Sequence, residues 1–208
     1  MEPFWAFRGN ATAGGGSLRD ARRCNGVRLG RVSTIGKRFA FWLFMLTGKV
    51  LPGFDPETDG LEGIKKLVRG RFPEVRQLRT EELGAWLADP KRPRPEILDV
   101  RKPAEFFVSH VSGARRIDPD VKGLDMKSLA ASNHPVVLYC AVGYRSSALA
   151  RRLMMAGLTN VFSLEGSIFQ WANEGRPLVD SNGPATKVHP YGHRWRVLLK
   201  PQVRGSID

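Results

Sequence analysis

Cysteine is scarce: Cys24 and Cys140 are the two in a sequence of 208 residues. Two thiols cannot build the dense framework that staples small secreted domains, and Cys24 sits in a Gly/Arg-rich stretch without regular pattern. A disulfide scaffold is excluded, and a reducing compartment fits better than secretion. Long apolar runs are missing as well. The longest, FAFWLFML over residues 39–46, falls far short of the roughly 20 residues that cross a bilayer as a helix. No internal repeat is visible, so a tandem two-domain arrangement is excluded too. Acid is the third shortage, with 20 Asp and Glu against 33 Lys and Arg for a formal net charge of +13.

That charge is concentrated at the ends. Residues 1–54 hold nine Lys and Arg against two acids and residues 181–208 hold five against one, whereas 55–94 hold nine against eight and 95–180 ten against nine. A nearly neutral central part argues against nucleic acid as the partner of the fold itself. Residues 1–38 are rich in Arg, Gly, Ala, Ser and Thr and poor in acid. An organelle-targeting leader and an untargeted basic tail share this composition. The reading is a basic leader over 1–54 with a short apolar helix at about 37–49, a linker over 55–73, a domain over 74–180 and a basic extension over 181–208.

Within 74–180 short apolar strands alternate with helical segments, the pattern of an α/β protein with a parallel sheet. Strands are predicted at 75–78, 96–101, 114–117, 135–139 and 161–164. Helices are predicted at 80–87, opened by a Thr80 cap, and at 103–109, 124–131, 146–156 and 167–173. The run from Pro135 to Tyr139 is β-branched, aromatic and uncharged, as a buried central strand should be.

Cys140 follows that strand directly, and a helix follows Arg145. A thiol at the carboxyl end of a buried parallel strand, facing the first turn of a helix, lies where such sheets keep their ligand sites. The amide N–H groups of a tight loop and the helix dipole favour an anion there. The Cys140 thiol is therefore predicted to ionise below its ordinary value, in the range of roughly 3.5–7.5 found for thiols in such settings. Gly143 allows the tight turn. Ala141, Val142, Gly143, Tyr144 and Arg145 are the candidate binding residues, with Arg145 able to orient an anionic donor by a forked hydrogen bond.

The run CAVGYR at 140–145 resembles the active-site loop of rhodanese-like sulfurtransferases. Three further motifs occur in the matching order: LDVR at 98–101, EFFVSH at 105–110 followed by VSGA, and LEGSIFQW at 164–171. The resemblance covers about residues 74–180 and implies the rhodanese-like fold, a central parallel sheet flanked by helices on both faces. Three positions depart from the family pattern. Ala141 stands where a basic residue is common, Ser112 where a proline is common, and Ser167 where a second glycine closes the last motif. The loop has four residues between Cys140 and Arg145; relatives of this shape that act on phosphate or arsenate have five, and the narrower cradle suits sulfur.

The resemblance implies an exchange in which Cys140 takes a sulfane sulfur from thiosulfate or a persulfide, then passes it to a thiol, a cyanide-like nucleophile or a protein acceptor. No cofactor or metal is called for. His189 and His193 have no partnering Cys or carboxylate at ligand spacing. Arg101 is assigned to the mouth of the site. Asp99, Glu105, His110, Gly166 and Trp171 are assigned to structural support, with Glu105 expected on an exposed helix face. The amphipathic run RWRVLLK at 194–200 reads as a segment packed back on the domain or as a docking surface. The rival to an enzyme is a non-catalytic rhodanese-fold binding module; a phosphatase or arsenate reductase ranks third. The expected location is mitochondrial or cytoplasmic.

Overall fold

The computed structural model describes residues 53–120 and 134–207. The predicted helices at 37–49 and 124–131, and Cys24, lie outside them. Among the described residues there are thirteen helices and strands. They are α1 (Pro56–Arg71), β1 (Gln77–Leu78), α2 (Thr80–Ala88), β2 (Glu96–Asp99), α3 (Pro103–Val108), β3 (His110–Val111), β4 (Arg115–Arg116), β5 (Val136–Tyr139), α4 (Tyr144–Met155), β6 (Val161–Leu164), α5 (Ser167–Asn173), β7 (Leu178–Asp180) and β8 (Gly183–Ala185). Two 3-10 turns, His193–Leu198 and Pro201–Val203, come last.

The main sheet has the order β1-β6-β5-β2-β4, and every neighbouring pair runs parallel. In β5 all four residues, Val136, Val137, Leu138 and Tyr139, are fully buried. Successive side chains of a strand point to opposite faces, so both faces of the sheet are covered. This is the α/β architecture expected. β3, β7 and β8 form a small antiparallel sheet that the sequence pattern did not predict, because strands of two or three residues carry no readable alternation.

Most of residues 55–73, expected as a linker, is the helix α1, Pro56–Arg71. Asp55 caps it by accepting a bond from the Glu57 N–H at 3.0 Å, Pro56 opens it, and Ile64 and Val68 are buried beneath it. Gly60, at φ 61°, kinks the helix, and this break hides its periodicity from a sequence reading. Thr80 is also not the cap of its helix. It is the first helical residue, its hydroxyl donates to Glu174 at 2.8 Å, and Glu82 accepts from the Arg79 N–H at 2.9 Å instead. The basic C-terminal extension packs on the domain, with Val188, Trp195, Leu198 and Leu199 in the core. Among the described residues no helix is long and apolar enough to cross a membrane.

Replacing Ile64 by Ala leaves a cavity under α1. We expect a loss of about 3 kcal/mol in urea unfolding; a loss under about 0.5 kcal/mol, the range of surface substitutions, would mean that α1 is not part of the cooperative fold.

Candidate active site

β5 delivers Cys140 to the top of the sheet, and the loop closes at Gly143, which caps α4 at φ 103°. That left-handed conformation is one a side chain resists. The loop carbonyls face away from the thiol: the N–H groups of Ile168 and Phe169, in the first turn of α5, donate to the oxygens of Cys140 and Ala141 at 3.2 and 3.1 Å. With those carbonyls drawn outward, the loop amides are left to face the sulfur. The Gly143 N–H lies 3.1 Å from Cys140 Sγ, and the N–H groups of Val142 and Ser146 also favour its charged form. Cys140 is 1% exposed. Burial pushes the thiol up, but the Arg145 guanidinium and these amides outweigh burial, and the thiol ionises below its ordinary value.

Ser167 explains one departure from the family pattern. Its φ is 52°, the left-handed region where glycine is the easy choice. Its hydroxyl accepts the buried Cys140 N–H at 3.1 Å and donates to Leu164 O at 3.0 Å. The side chain satisfies a backbone donor that glycine could not, which offsets the strain. Gly166, before it, has φ 65°, and a Cβ there would meet the Cβ of Gln170 at 2.6 Å.

Arg145 does not hold an open fork. Its two terminal nitrogens donate to the two oxygens of Glu105 at 2.9 and 2.8 Å, and its guanidinium lies 4.8 Å from the Tyr191 ring centroid. Glu105 is 2% exposed, which corrects its expected place on an open helix face: it is the single buried residue of α3, turned inward to meet Arg145. Arg101 is corrected as well. It is fully buried, its Nε and Nη2 donate to Asp99 at 3.0 and 2.7 Å, and Nη2 also donates to Ser109 O at 2.6 Å. It braces the loop after β2 and does not line the pocket.

The remaining support residues hold local structure. Asp99 also accepts the Arg101 N–H. His110 stacks on Phe106 at 3.9 Å with Nδ1 against the Phe106 carbonyl, and Trp171 donates to Pro177 O at 2.8 Å. Among the described residues no group of three or more His, Cys, Asp or Glu could hold a metal ion.

Two features escaped the sequence reading. The first is a buried hydroxyl chain beneath the thiol. Gln77 Nε2 donates to Ser147 Oγ at 3.2 Å, Ser147 donates to Ser163 at 3.0 Å, and Ser163 lies 2.9 Å from Ser146, whose Oγ is 3.8 Å from Cys140 Sγ. The second is the roof. Cys140, Val142, Tyr144 and Arg145 share a pocket with Tyr191 and Trp195, which come from the C-terminal extension. The pocket leaves about 10 Å³, room for one water-sized atom. The aromatic content of the run RWRVLLK was the available signal; nothing in its spacing tied it to Cys140.

The Glu105–Arg145 pair makes a pH-dependent contribution to stability. Burial raises the Glu105 carboxyl, but Arg145 outweighs burial and holds it below the ordinary carboxylate value. A depressed carboxyl stabilises the fold above its unfolded pKa of about 4.3, and that stability is lost as pH falls through the folded value. Replacing Glu105 by Ala strands the Arg145 charge. In urea unfolding we expect a loss of about 3–5 kcal/mol at pH 7, with the gap to wild type narrowing below about pH 4. A gap independent of pH would contradict the pairing.

The family description "Rhodanese-like domain" matches residues 80–174. A protein named thiosulfate sulfurtransferase GlpE, from Pseudomonas aeruginosa, is 34% identical over 98 residues, which span 47% of this chain and 77% of that one. A protein named sulfurtransferase, from Allochromatium vinosum, is 30% identical over 109 residues, 52% of this chain and 99% of that one. YqhL of Bacillus subtilis, whose name calls it uncharacterized, is 33% identical over 81 residues, 39% of this chain and 64% of that protein. Among solved structures, a rhodanese-related protein from Thermoplasma volcanium aligns with a TM-score of 0.44 at 28% identity, over 50% of this chain and 98% of that one. The match to the family description and the two relatives named sulfurtransferases, covered over 77% and 99% of their length, show that the chain belongs to the rhodanese-like domain family.

Proposed function

We propose that the protein is a sulfurtransferase that moves a sulfane sulfur from thiosulfate or a persulfide donor to a nucleophilic acceptor through a persulfide on Cys140. The observation that carries this reading is the setting of one sulfur atom: Cys140 Sγ lies 3.1 Å from the Gly143 N–H, with Arg145 favouring its charge. A thiolate so held is a nucleophile.

With thiosulfate, the thiolate attacks the outer sulfur. The bond from Sγ to that sulfur forms as the S–S bond of the donor breaks, and its electron pair leaves with sulfite. The acceptor then attacks the outer sulfur of the persulfide and frees the thiolate. A cyanide acceptor leaves as thiocyanate. Arg145 supports the first step through its charge, since its fork is occupied by Glu105. A reducing, intracellular compartment is part of this reading, because Cys140 works as a free thiol.

One observation favours the other reading, a non-catalytic binding module: Cys140 is almost fully covered. Mass spectrometry separates the two. Incubation with thiosulfate or glutathione persulfide should add one sulfur atom to the wild-type chain and none at this site in Cys140→Ser, and cyanolysis should fall by roughly a thousandfold or more in the variant. Equal activity in the two proteins would refute the enzyme.

The lowered thiol also sets the pH profile. The thiolate is lost as pH falls through the depressed value, so the rise of persulfide formation with pH should have its midpoint below that of an ordinary thiol, about 8.5. A midpoint at or above that of an ordinary thiol would contradict the cradle.

A further inference from the structure

Two walls of the Cys140 pocket come from outside residues 80–174, where the family description ends. Tyr191 and Trp195 belong to a segment anchored at several points. Val188 N–H donates to Val203 O and Gly205 N–H to Val188 O, both at 2.8 Å. Asn173, at the end of α5, donates to Leu198 O and accepts from Lys200 N–H, again at 2.8 Å. Ser109 donates to Lys187 O at 2.6 Å. The Trp195 ring stacks on Phe54 with centroids 5.8 Å apart, and Tyr191 meets its edge at 6.1 Å. Tyr191 itself sits at φ 66°, a left-handed conformation that a tyrosine adopts only when its surroundings impose it.

Within this well-bonded segment one group is left over. Trp195 is 4% exposed, and its Nε1–H has no hydrogen-bond partner among the described residues. A buried indole normally finds an acceptor. Trp195 lines the pocket, which has room for about one atom beyond the thiol.

We propose that Trp195 is a binding residue for the cargo: its indole N–H donates to the outer sulfur of the Cys140 persulfide, and the aromatic roof keeps water from it. The inference rests on the sulfurtransferase reading given above. In the loading step the negative charge of the thiolate passes to the outer sulfur of Cys–S–S⁻ as sulfite departs. A new acceptor therefore arises one bond further from the loop, beyond the Gly143 N–H that faces Sγ. Trp195 supplies the donor that the loop lacks at that distance. The other groups facing this charge are the loop amides, the Arg145 guanidinium paired with Glu105, and the Tyr144 and Tyr191 hydroxyl-bearing rings.

The test uses the full chain loaded from thiosulfate, comparing wild type with Trp195→Phe, which keeps a ring against Phe54 and removes the N–H. Alkylation of the loaded protein by a neutral haloacetamide is followed against pH. Loss of a charge-assisted hydrogen bond should raise the ionisation midpoint of the persulfide by about one unit, a roughly tenfold change, while the midpoint of the unloaded thiol stays in place. Identical loaded profiles in the two proteins would overturn the proposal. Wild type that takes up no sulfur from either donor would instead defeat the sulfurtransferase reading, and the inference with it. Should the variant fail to fold, the indole N–H resonance of Trp195 in wild type decides: a downfield shift on loading supports the bond, and an unmoved resonance refutes it.

Discussion

A peptide unit presents its N–H and its C=O in opposite directions, and the site depends on which of the two faces Cys140. The first turn of α5 takes the carbonyls of Cys140 and Ala141 through the N–H groups of Ile168 and Phe169. The Ala141–Val142 peptide plane is then fixed with the Val142 N–H toward the sulfur. The left-handed turn at Gly166 and Ser167 starts α5 where these bonds can form. The closing motif of the sequence is therefore part of the anion cradle, although it lies more than twenty residues from the cysteine.

The charges around the cradle are arranged so that none is buried alone. Arg145 faces the thiol and is held by Glu105; Arg101 is held by Asp99 beneath the neighbouring loop. A buried guanidinium without a partner would be costly, and a pair contributes little net stability over apolar packing. What the pairs supply is position. Arg145 is fixed by a two-point bond at a place where its field reaches Sγ, while Glu105 moderates that field. Without the guanidinium the thiol would be pushed toward its protonated form by its own burial.

Most of the parallel sheet and the candidate nucleophile were legible in the sequence because each has a local signature. β5 is an uncharged β-branched run, β6 and α5 fall at the predicted residues, and Cys140 directly follows the strand with Gly143 and Arg145 at loop spacing. What was not legible depends on contacts between distant residues. Glu105 looks like a capping carboxylate, and it does accept the Lys102 N–H at 3.1 Å. Only the folded chain brings it to its second partner, Arg145, forty positions on. Arg101 carries a charge beside a loop, a pattern shared by ligand-binding and bracing arginines. Three glycines and a proline disguised α1, and the strands of the small antiparallel sheet, two or three residues each, fall outside the apolar runs that marked the main sheet.

The C-terminal extension packs back on the domain, one of the two readings its sequence allowed, and its physics links the outer elements to the site. Its basic charge sits on exposed Arg194 and Arg196, while Trp195, Leu198 and Leu199 turn inward. The same alternation that gives the run its amphipathic pattern sets Trp195 against Phe54, just ahead of α1, and above the loop. α1 and the extension thus support each other across the top of the sheet, each covering apolar surface that the other would leave exposed. A thiol at the carboxyl end of a parallel sheet would otherwise open to solvent, where water competes for every amide that faces it. Covering that end with aromatic rings lowers the local dielectric and strengthens each remaining N–H contact to the sulfur. The segments outside the matched domain therefore bear on the chemistry through the environment they create as much as through the residues they contribute.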